Sequence, residues 1–593
     1  MPKNETLETK RHSLAHIMAA SIQELYPDAK FGVGPVIEDG FFYDVHLTRP
    51  LTPEDLETIE SRMRQKLKQN LRFERSEMPL DRAMDMFRSM SQHFKVELLS
   101  DLKMRGTTAV ADLGDANLVG NSVNEVSVYK TGDFIDLCRG PHVAQTGEID
   151  PDSFRLTRVS GAYWRGNQQR EQMQRVYGVA FDTKRELDEY FARMEEAKKR
   201  DHRKLGRELG LFMFHPWAPG AAFWLNKGTT LYHTLANYMR NALFPAGYVE
   251  VKTPLIFNRA LWETSGHWSH YRHNMFQIAS EQEPMAVKAM NCPGHFLLFA
   301  SEVRSYRDLP IRFHEQTPLH RNEASGVLSG LTRLRQFSQD DAHCFVAPEQ
   351  IGEEVERLLG LVRRTYEDFN LPFEAKLGTR PAEFLGEVEK WNQAEAQLKE
   401  ALNRAGVPYE LNEGDGAFYG PKIDIQVTDA IGRKWQCATI QLDYMMPERF
   451  DLKYIGADNT EHRVVVIHRA IFGSFERFIA ILIEHYAGAF PVWLAPVQAV
   501  LIPIADRHAA YCAQVKNRLV AAGLRAEVDT SLERMNAKIR NAQMQKIPYM
   551  LVVGDREQQQ DAVSVRLRSG EDLKSKRVDE FISLAQQAVR SRK

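Results

Sequence analysis

The stretch that most limits how this chain can fold is residues 183–210, "TKRELDEYFARMEEAKKRDHRKLGRELG". Charges crowd it and apolar positions are sparse, so it reads as an exposed connecting helix and not as part of a core. A chain divided there must build its cores on either side. At 593 residues roughly three or four domains are expected. Four segments follow: residues 1–182, the linker 183–210, then 211–490 and 491–593. The first mixes helical periods ("HSLAHIMAASIQELY") with short strands ("VSVYK", "FIDLCRG"). In the third, helices stand beside strand signals such as "KIDIQVTD", "KWQCATIQLDY" and "RVVVIHRAI" without strict βαβ alternation, which favours an antiparallel sheet. After Pro496, "VQAVLIPI", a helix through "AAYCAQVKNRLVAAG", "LRAEVD", another helix and "YMLVVGD" suggest an α/β module with a mainly parallel sheet. The expected class is α+β, multidomain. No internal repeat or low-complexity tract is visible.

Composition narrows the function classes. Apolar residues make up 43% and charged residues 26%, as in an ordinary soluble globular protein. Five cysteines, far apart, give no disulfide framework and point to a reducing, cytoplasmic setting. The polar start "MPKNETLETK" lacks the apolar stretch of a signal peptide. The longest uncharged run, 486–505, is interrupted by Pro491, Pro496 and Pro503, so core strands and turns are expected and no membrane helix. Net charge is −2, yet residues 495–593 hold 17 Lys and Arg against 11 Asp and Glu. The remaining residues carry 60 against 68. A basic module on an acidic body is the asymmetry of a chain with one end meeting phosphates, although a solvated basic surface is the plainer alternative.

Two sets of soft donors stand out. His12 and His16 are four apart and share a helix face, and Cys138 and His142 repeat the interval. These are zinc-ligand residue types. A metalloprotease is disfavoured, because Ser13 stands where the His-Glu-x-x-His base would be. The second set, Cys292, His343 and His468, is spaced by 51 and 125 residues, which no local zinc-finger pattern contains. On spacing alone, packed core or solvated surface is the commoner fate of such residues.

Neither a Gly-x-x-x-x-Gly-Lys phosphate loop nor a Rossmann fingerprint occurs, so ATP, if used, requires an arginine clamp. "LHRNEASGVLSGLTRLRQFSQDDAH" (319–343) and "GSFERFIAILIEHY" (473–486) resemble motifs two and three of class II aminoacyl-tRNA synthetases, and "YVEVKTPLIF", with Pro254, resembles motif one, the dimer element. With "MNCPGH", "EGDGAFYGPKID" and the amino-terminal histidines, the chain resembles the threonyl-tRNA synthetases from about residue 7 to its end.

That resemblance implies an ATP-dependent ligase joining L-threonine to tRNA(Thr), working as a homodimer in the cytoplasm and independent of membranes. Arg321 would bind the α-phosphate or the substrate carboxylate. Glu323 would lie at the adenine edge, Phe337 would stack on the adenine, Arg477 would hold the γ-phosphate end and Arg333 would stabilise α-phosphate charge, with Mg²⁺ on the phosphates. Cys292, His343 and His468 would hold one Zn²⁺ per subunit, its open position taking the amine and hydroxyl of threonine and so refusing valine. Asp341 would accept the hydroxyl proton, with Tyr419, Gln339, Gln436 and Met290 completing the pocket. His267 and Lys422 would serve transfer to tRNA.

Serine lacks only a methyl, a difference worth ~10–200-fold, a range that sister synthetases define. A hydrolytic second sieve is therefore implied, and His12, His16, Cys138 and His142 resemble the family's editing site, with Asp136 and Lys95 positioning water or the tRNA terminus. A metal-free pocket is the reading taken, with a structural zinc clip as its alternative. Arg540, Glu557, Arg566 and Arg534 fall at the family's anticodon-binding positions, Lys being commoner at the last. The small ubiquitin-like domain that precedes the histidine helix in many members is expected to be missing. Two other function classes compete: a catalytically retired, synthetase-like RNA-binding regulator, which would not need Arg321, Arg477 or the Cys/His set, and a zinc hydrolase, which would act without ATP.

Overall fold

The computed structural model describes residues 3–106, 124–167, 169–280 and 283–592, and divides into two compact units, 1–195 and 196–593.

The first unit is built around the helix Lys3–Leu25. Its stretch "SLAHIMAASI" has no solvated face, and a helix apolar on all sides must be enclosed. Leu14, Ile17, Met18 and Ile22 pack with Phe41, Val45, Ile59 and Met63. A sheet runs Lys30–Phe31, Gly40–His46, Gln172–Ala180, Phe154–Tyr163, with Val36–Ile37 pairing on Gly40–His46. A second sheet of Glu74–Pro79, Glu125–Thr131 and Phe134–Leu137 is antiparallel throughout, and its last strand delivers Asp136 and Cys138.

The charged segment differs from one exposed helix. Helix Lys184–Arg200 does bury little beyond Leu187. The chain then restarts as His202–Glu208, because the Asp201 carboxylate caps the Arg203 amide at 2.8 Å. His202, Leu205 and Leu209 are buried, so the latter part belongs to a core.

The second unit carries an eight-stranded sheet in the order Val249–Glu250, Ile311–Glu315, Asp341–Val346, Val465–Ala470, Lys434–Asp443, Lys422–Thr428, Phe373–Gly378, Tyr409–Asn412. Its interior is antiparallel and only the outermost pairs run parallel. Helices Ile351–Asp368 and Phe475–His485 bury Leu358, Val362, Phe478 and Ile481 in the core that also takes Ile440, Leu442 and Ile467 from the sheet.

The C-terminal sheet corrects the parallel expectation. Ala526–Val528, Ala499–Pro503 and Tyr549–Val553 are parallel, but Ala562–Leu567 and Asp572–Arg577 are antiparallel. The connections decide this: residues 554–561 and 568–571 are too short for a right-handed crossover, which takes a dozen residues or more. Within this unit Lys227 Nζ donates to Gln545 Oε1 at 2.9 Å and Gln545 Nε2 to the Glu208 carbonyl at 3.0 Å. No helix among the described residues is long and apolar enough to cross a membrane.

Candidate active site

Sheet register assembles the distant residues. Lys422 lies opposite Gln441, Gln441 opposite His468, and His468 opposite His343, a row across four antiparallel strands. Directly opposed residues share a face, so four side chains separated by up to 125 residues in sequence line one surface. Cys292, at the start of helix Cys292–Ala300, completes the group: the donor atoms of Cys292, His343 and His468 lie within 4.8 Å of one another. Relative exposures of 5%, 1% and 6% put all three out of bulk water.

The surroundings set which nitrogen each imidazole presents. Glu315 is hydrogen-bonded by His295 Nε2 (3.2 Å), the Thr253 amide (2.9 Å) and Lys288 Nζ (2.9 Å). Burial opposes its ionisation, but these donors outweigh it and hold the carboxyl at about 2. An ionised carboxylate only accepts, so His295 Nε2 carries the proton, and its Nδ1 receives the proton of His343 Nδ1 at 2.8 Å. His343 Nε2 is left as a lone pair. His468 Nε2 donates to Asp443 Oδ2 at 2.9 Å, and Asp443 Oδ1 takes the Met445 and Met446 amides, which leaves His468 Nδ1 as the second lone pair. Burial pushes the Cys292 thiol well up and the His343 imidazole well down. A buried thiol between two lone-pair nitrogens is a soft donor set that suits a cation such as zinc.

Asp341 stands two residues before His343 on the same face, receives Asn291 Nδ2 at 2.9 Å, and has its carboxyl raised, chiefly by burial. Tyr419 OH donates to Gln441 Oε1 at 2.5 Å, and its ring lies 5.2 Å from that of His468. Met290 is half-buried beside this cluster. Gln436 lies five residues from Gln441, which simple alternation would place on the opposite face. A register shift opposite Asp424–Gln426, where three residue steps of this strand (Thr439 to Gln436) match two of its neighbour, puts an extra residue in Gln436's own strand and restores it. Cys437, Ala438, Ile440 and Leu442 face the core, whereas Gln436, Thr439 and Gln441 face the opening.

The arginines border the same surface. Strands Pro318–His320 and Gln336–Ser338 form a hairpin. Arg321 lies over the Phe337 ring at 5.0 Å, and Arg333 Nε donates to Glu323 at 3.0 Å. The Arg333 side chain is 56% exposed, and such a pair contributes about 0–1 kcal/mol, so Arg333 is easily redirected to a ligand. Gln339 Nε2 donates to the Gly473 carbonyl at 2.7 Å, joining the hairpin to the turn before helix Phe475–His485. Ser474 caps that helix by accepting from the Arg477 amide at 3.1 Å. Among the described residues, the buried Nε of Arg477 has no hydrogen-bond partner. An unpartnered guanidinium donor at a helix N-terminus fits a phosphate. His267 is buried, with Nδ1 2.7 Å from Ser265 Oγ; burial, then the charges of His468 and Arg321, lower it to about 3. Lys422 pairs with Asp424 (2.7 Å) and Asp415 (3.0 Å); burial works against its charge, but these partners raise it.

In the first unit, the donors of His12, His16, Cys138 and His142 also lie within 4.8 Å of one another. Cys138 Sγ is 3.2 Å from His12 Nε2 and 3.3 Å from His142 Nε2. Ser13 Oγ gives its proton to the Thr9 carbonyl, so it accepts from His142 Nδ1, leaving His142 Nε2 to face the thiol. Burial raises Cys138 to about 12 and lowers His16 and His142. Lys95 Nζ pairs with Asp136 at 2.5 Å, and Asp136 also receives Tyr43 OH and lies 3.6 Å from His16. Asp136 thus touches the four-residue cluster at His16 and links it to Lys95 and to Tyr43, the last not singled out in the sequence.

Comparison with known proteins accords with this geometry. Residues 275–486 match the family described as tRNA synthetase class II core domain (G, H, P, S and T), 498–588 the anticodon binding domain, and 126–177 the threonyl and alanyl tRNA synthetase second additional domain. The threonine–tRNA ligase of Myxococcus xanthus is 51% identical over 98% of this chain and 89% of its own length. The chain belongs to the threonine–tRNA ligases. The Symbiobacterium thermophilum ligase is 50% identical over 99% of this chain and 87% of its own. A crystal structure of the RNA binding domain of threonyl-tRNA synthetase from Cryptosporidium parvum superimposes with a TM-score of 0.64 at 43% identity, covering 65% of this chain and 98% of that one.

For a threonine–tRNA ligase, the residues that sequence reasoning missed are mainly supports: Gln441, Asp443, His295, Glu315 and Asn291. The alternation in "TIQLD" signals that Gln441 and Asp443 share a face, but not which strand they oppose. In the C-terminal module Arg534 precedes helix Met535–Met544, Arg540 lies on it, Glu557 follows strand Tyr549–Val553, and Arg566 lies opposite Met550. The three arginines are exposed, while Glu557 is half-buried and accepts from the Gly554 amide at 3.1 Å.

Proposed function

We propose that this threonine–tRNA ligase selects its amino acid at Cys292, His343 and His468, and that the convergence of one thiol and two lone-pair nitrogens carries the reading. Zinc, when bound there, supplies a Lewis-acid position for the amine and hydroxyl of threonine. The chain's own groups do the rest. Asp341 receives the hydroxyl proton, Tyr419 and Gln441 wall the pocket, and Gln436 lines its open side. Arg321 and Arg333 hold charge at the α-phosphate, Phe337 and Glu323 serve the adenine, and Arg477 grips the far phosphate, with Mg²⁺ accompanying ATP. Intact arginine and Cys/His sets at one surface favour this over a retired regulator. Threonine-dependent pyrophosphate exchange by the purified protein is the direct test, and its absence would reinstate the regulator.

His267 is assigned as the group that takes the proton of the tRNA terminal hydroxyl, with Lys422 stabilising charge nearby. With its value lowered to about 3, His267 stays unprotonated through the neutral range. The transfer rate from preformed adenylate is therefore expected to show no ascending limb near pH 6.5, and His267→Ala to slow transfer on the order of 10²-fold without changing exchange. A clear inflection near 6.5 that vanishes in the variant would contradict this.

His12, His16, Cys138 and His142, with Lys95 and Asp136, are assigned to hydrolysis of seryl-tRNA(Thr) without metal. Arg534, Arg540, Glu557 and Arg566 are assigned to the anticodon. Arg566→Ala is expected to lower kcat/KM for tRNA by about 10–100-fold while sparing exchange, the range for one base-reading arginine; equal loss of both would refute the assignment. Dimerisation through motif one is supported by exposed apolar side chains at Phe244, Val249, Leu255 and Ile256. Five unpaired cysteines accord with a cytoplasmic setting.

A further inference from the structure

His202 is a third point where charged and ligating side chains converge: its donor atoms cluster with those of Asp201 and Glu484. No role in binding ATP, threonine or tRNA falls to it above. Its ring is fully engaged. Glu484, on helix Phe475–His485, accepts from the His202 amide at 3.0 Å and lies 2.6 Å from His202 Nδ1. On the ring's other edge, the Leu331 amide donates to Nε2 at 3.0 Å. An amide can only donate, so Nε2 holds the lone pair, and Nδ1 carries the proton that Glu484 receives. That pairing uses both nitrogens and gives the cluster a full account without a metal. Arg433 closes the far side of Glu484 at 2.5 Å.

Leu331 lies in the loop between the strands Pro318–His320 and Gln336–Ser338, two residues before Arg333. Just before it, Gly330 takes φ +49°, and a Cβ there would come within 2.2 Å of His202 Nε2. The loop therefore turns directly against the imidazole. Next, Ser329 and Arg333 exchange backbone hydrogen bonds, Ser329 N to Arg333 O at 3.2 Å and Arg333 N to Ser329 O at 3.3 Å. A displacement of Leu331 is thus carried to Arg333 through the backbone, and not through Arg333's weak surface pair with Glu323.

We infer that His202 is a positioning residue for ATP: its imidazole, held by Glu484 of the helix whose first turn carries Arg477, latches the Leu331 amide and so places Arg333 relative to Arg477. The inference rests on the assignment of both arginines to the nucleotide. Threonine is gripped elsewhere, in the row of the sheet that His343 and His468 occupy, so the latch should separate the two substrates.

In His202→Ala the Leu331 amide loses its buried acceptor, and unpairing one such group is expected to lower kcat/KM for ATP in pyrophosphate exchange by about 10–100-fold. KM for threonine should remain within about twofold, and bound metal should be unchanged. Amide hydrogen exchange, followed by mass spectrometry on the full chain without ligand, should accelerate in residues 325–335 while the sheet strands keep their protection. Gly330→Ala attacks the same contact from the loop side, keeps both members of the His202–Glu484 pair in the chain, and carries the same expectation should His202→Ala fail to fold. Unchanged exchange in 325–335, or equal loss for ATP and threonine, in whichever variant folds would overturn the latch. Faster loop exchange with no change in ATP kinetics would keep the contact and instead refute the assignment of Arg333 to the nucleotide.

Discussion

Cys292→Ser is expected to abolish stoichiometric zinc and to cut threonine-dependent pyrophosphate exchange on the order of a thousandfold. The wild-type protein should hold one zinc per chain. The magnitude follows from the geometry: with one donor removed, the amine and hydroxyl of threonine lose two charge-assisted contacts worth about 1.5–3 kcal/mol each. Cys344→Ser is the matched control. Cys344 neighbours His343 on the same strand, yet it points to the other face, where it packs in the main core. It should keep both metal and threonine activation. Metal analysis with exchange assays on the two variants checks the prediction. Full zinc occupancy and unchanged threonine KM in Cys292→Ser would remove the basis of the selectivity reading.

The second large effect is expected in the first unit. His12→Ala should slow hydrolysis of seryl-tRNA(Thr) by about 10²–10⁴-fold, the usual contribution of a positioned acid–base group. Threonine activation, performed in the other unit, should not change. Mischarging should then rise to the ~10–200-fold discrimination that a missing methyl allows. The metal-free reading rests on the pocket's hydrogen bonding: the Cys138 thiol, raised to about 12 by burial, keeps its proton and can share it with the neighbouring imidazole nitrogens. Two zinc atoms per chain in purified protein, one of them lost on changing Cys138, would refute the metal-free reading.

Much of this protein was legible in its sequence because its motifs are long. The segments carrying Arg321, Arg477, Cys292 and His343 could be marked before any geometry, as could the α+β class and the helical pair His12 and His16. Local patterns were less informative wherever distant chain segments choose one another. The alternation in "KWQCATIQLDY" identifies a strand, but the bulge that turns Gln436 towards the opening depends on pairing with Lys422–Thr428. Likewise "DHRK" looks like more of a solvated linker, and only distant partners, Leu331 and Glu484, the latter 282 residues away, enclose His202.

The linear order alone determined which chemistry is present: soft donors, arginines and a basic terminal module, each marked by residue type and by the motif that carries it. Tertiary structure alone decided how these groups act together. Strand register put His343, His468 and Gln441 in one row, and buried carboxylates chose the free nitrogen of each imidazole. The physical reason is that a hydrogen-bond register or a tautomer belongs to a pair of partners, and the partners here lie dozens to hundreds of residues apart.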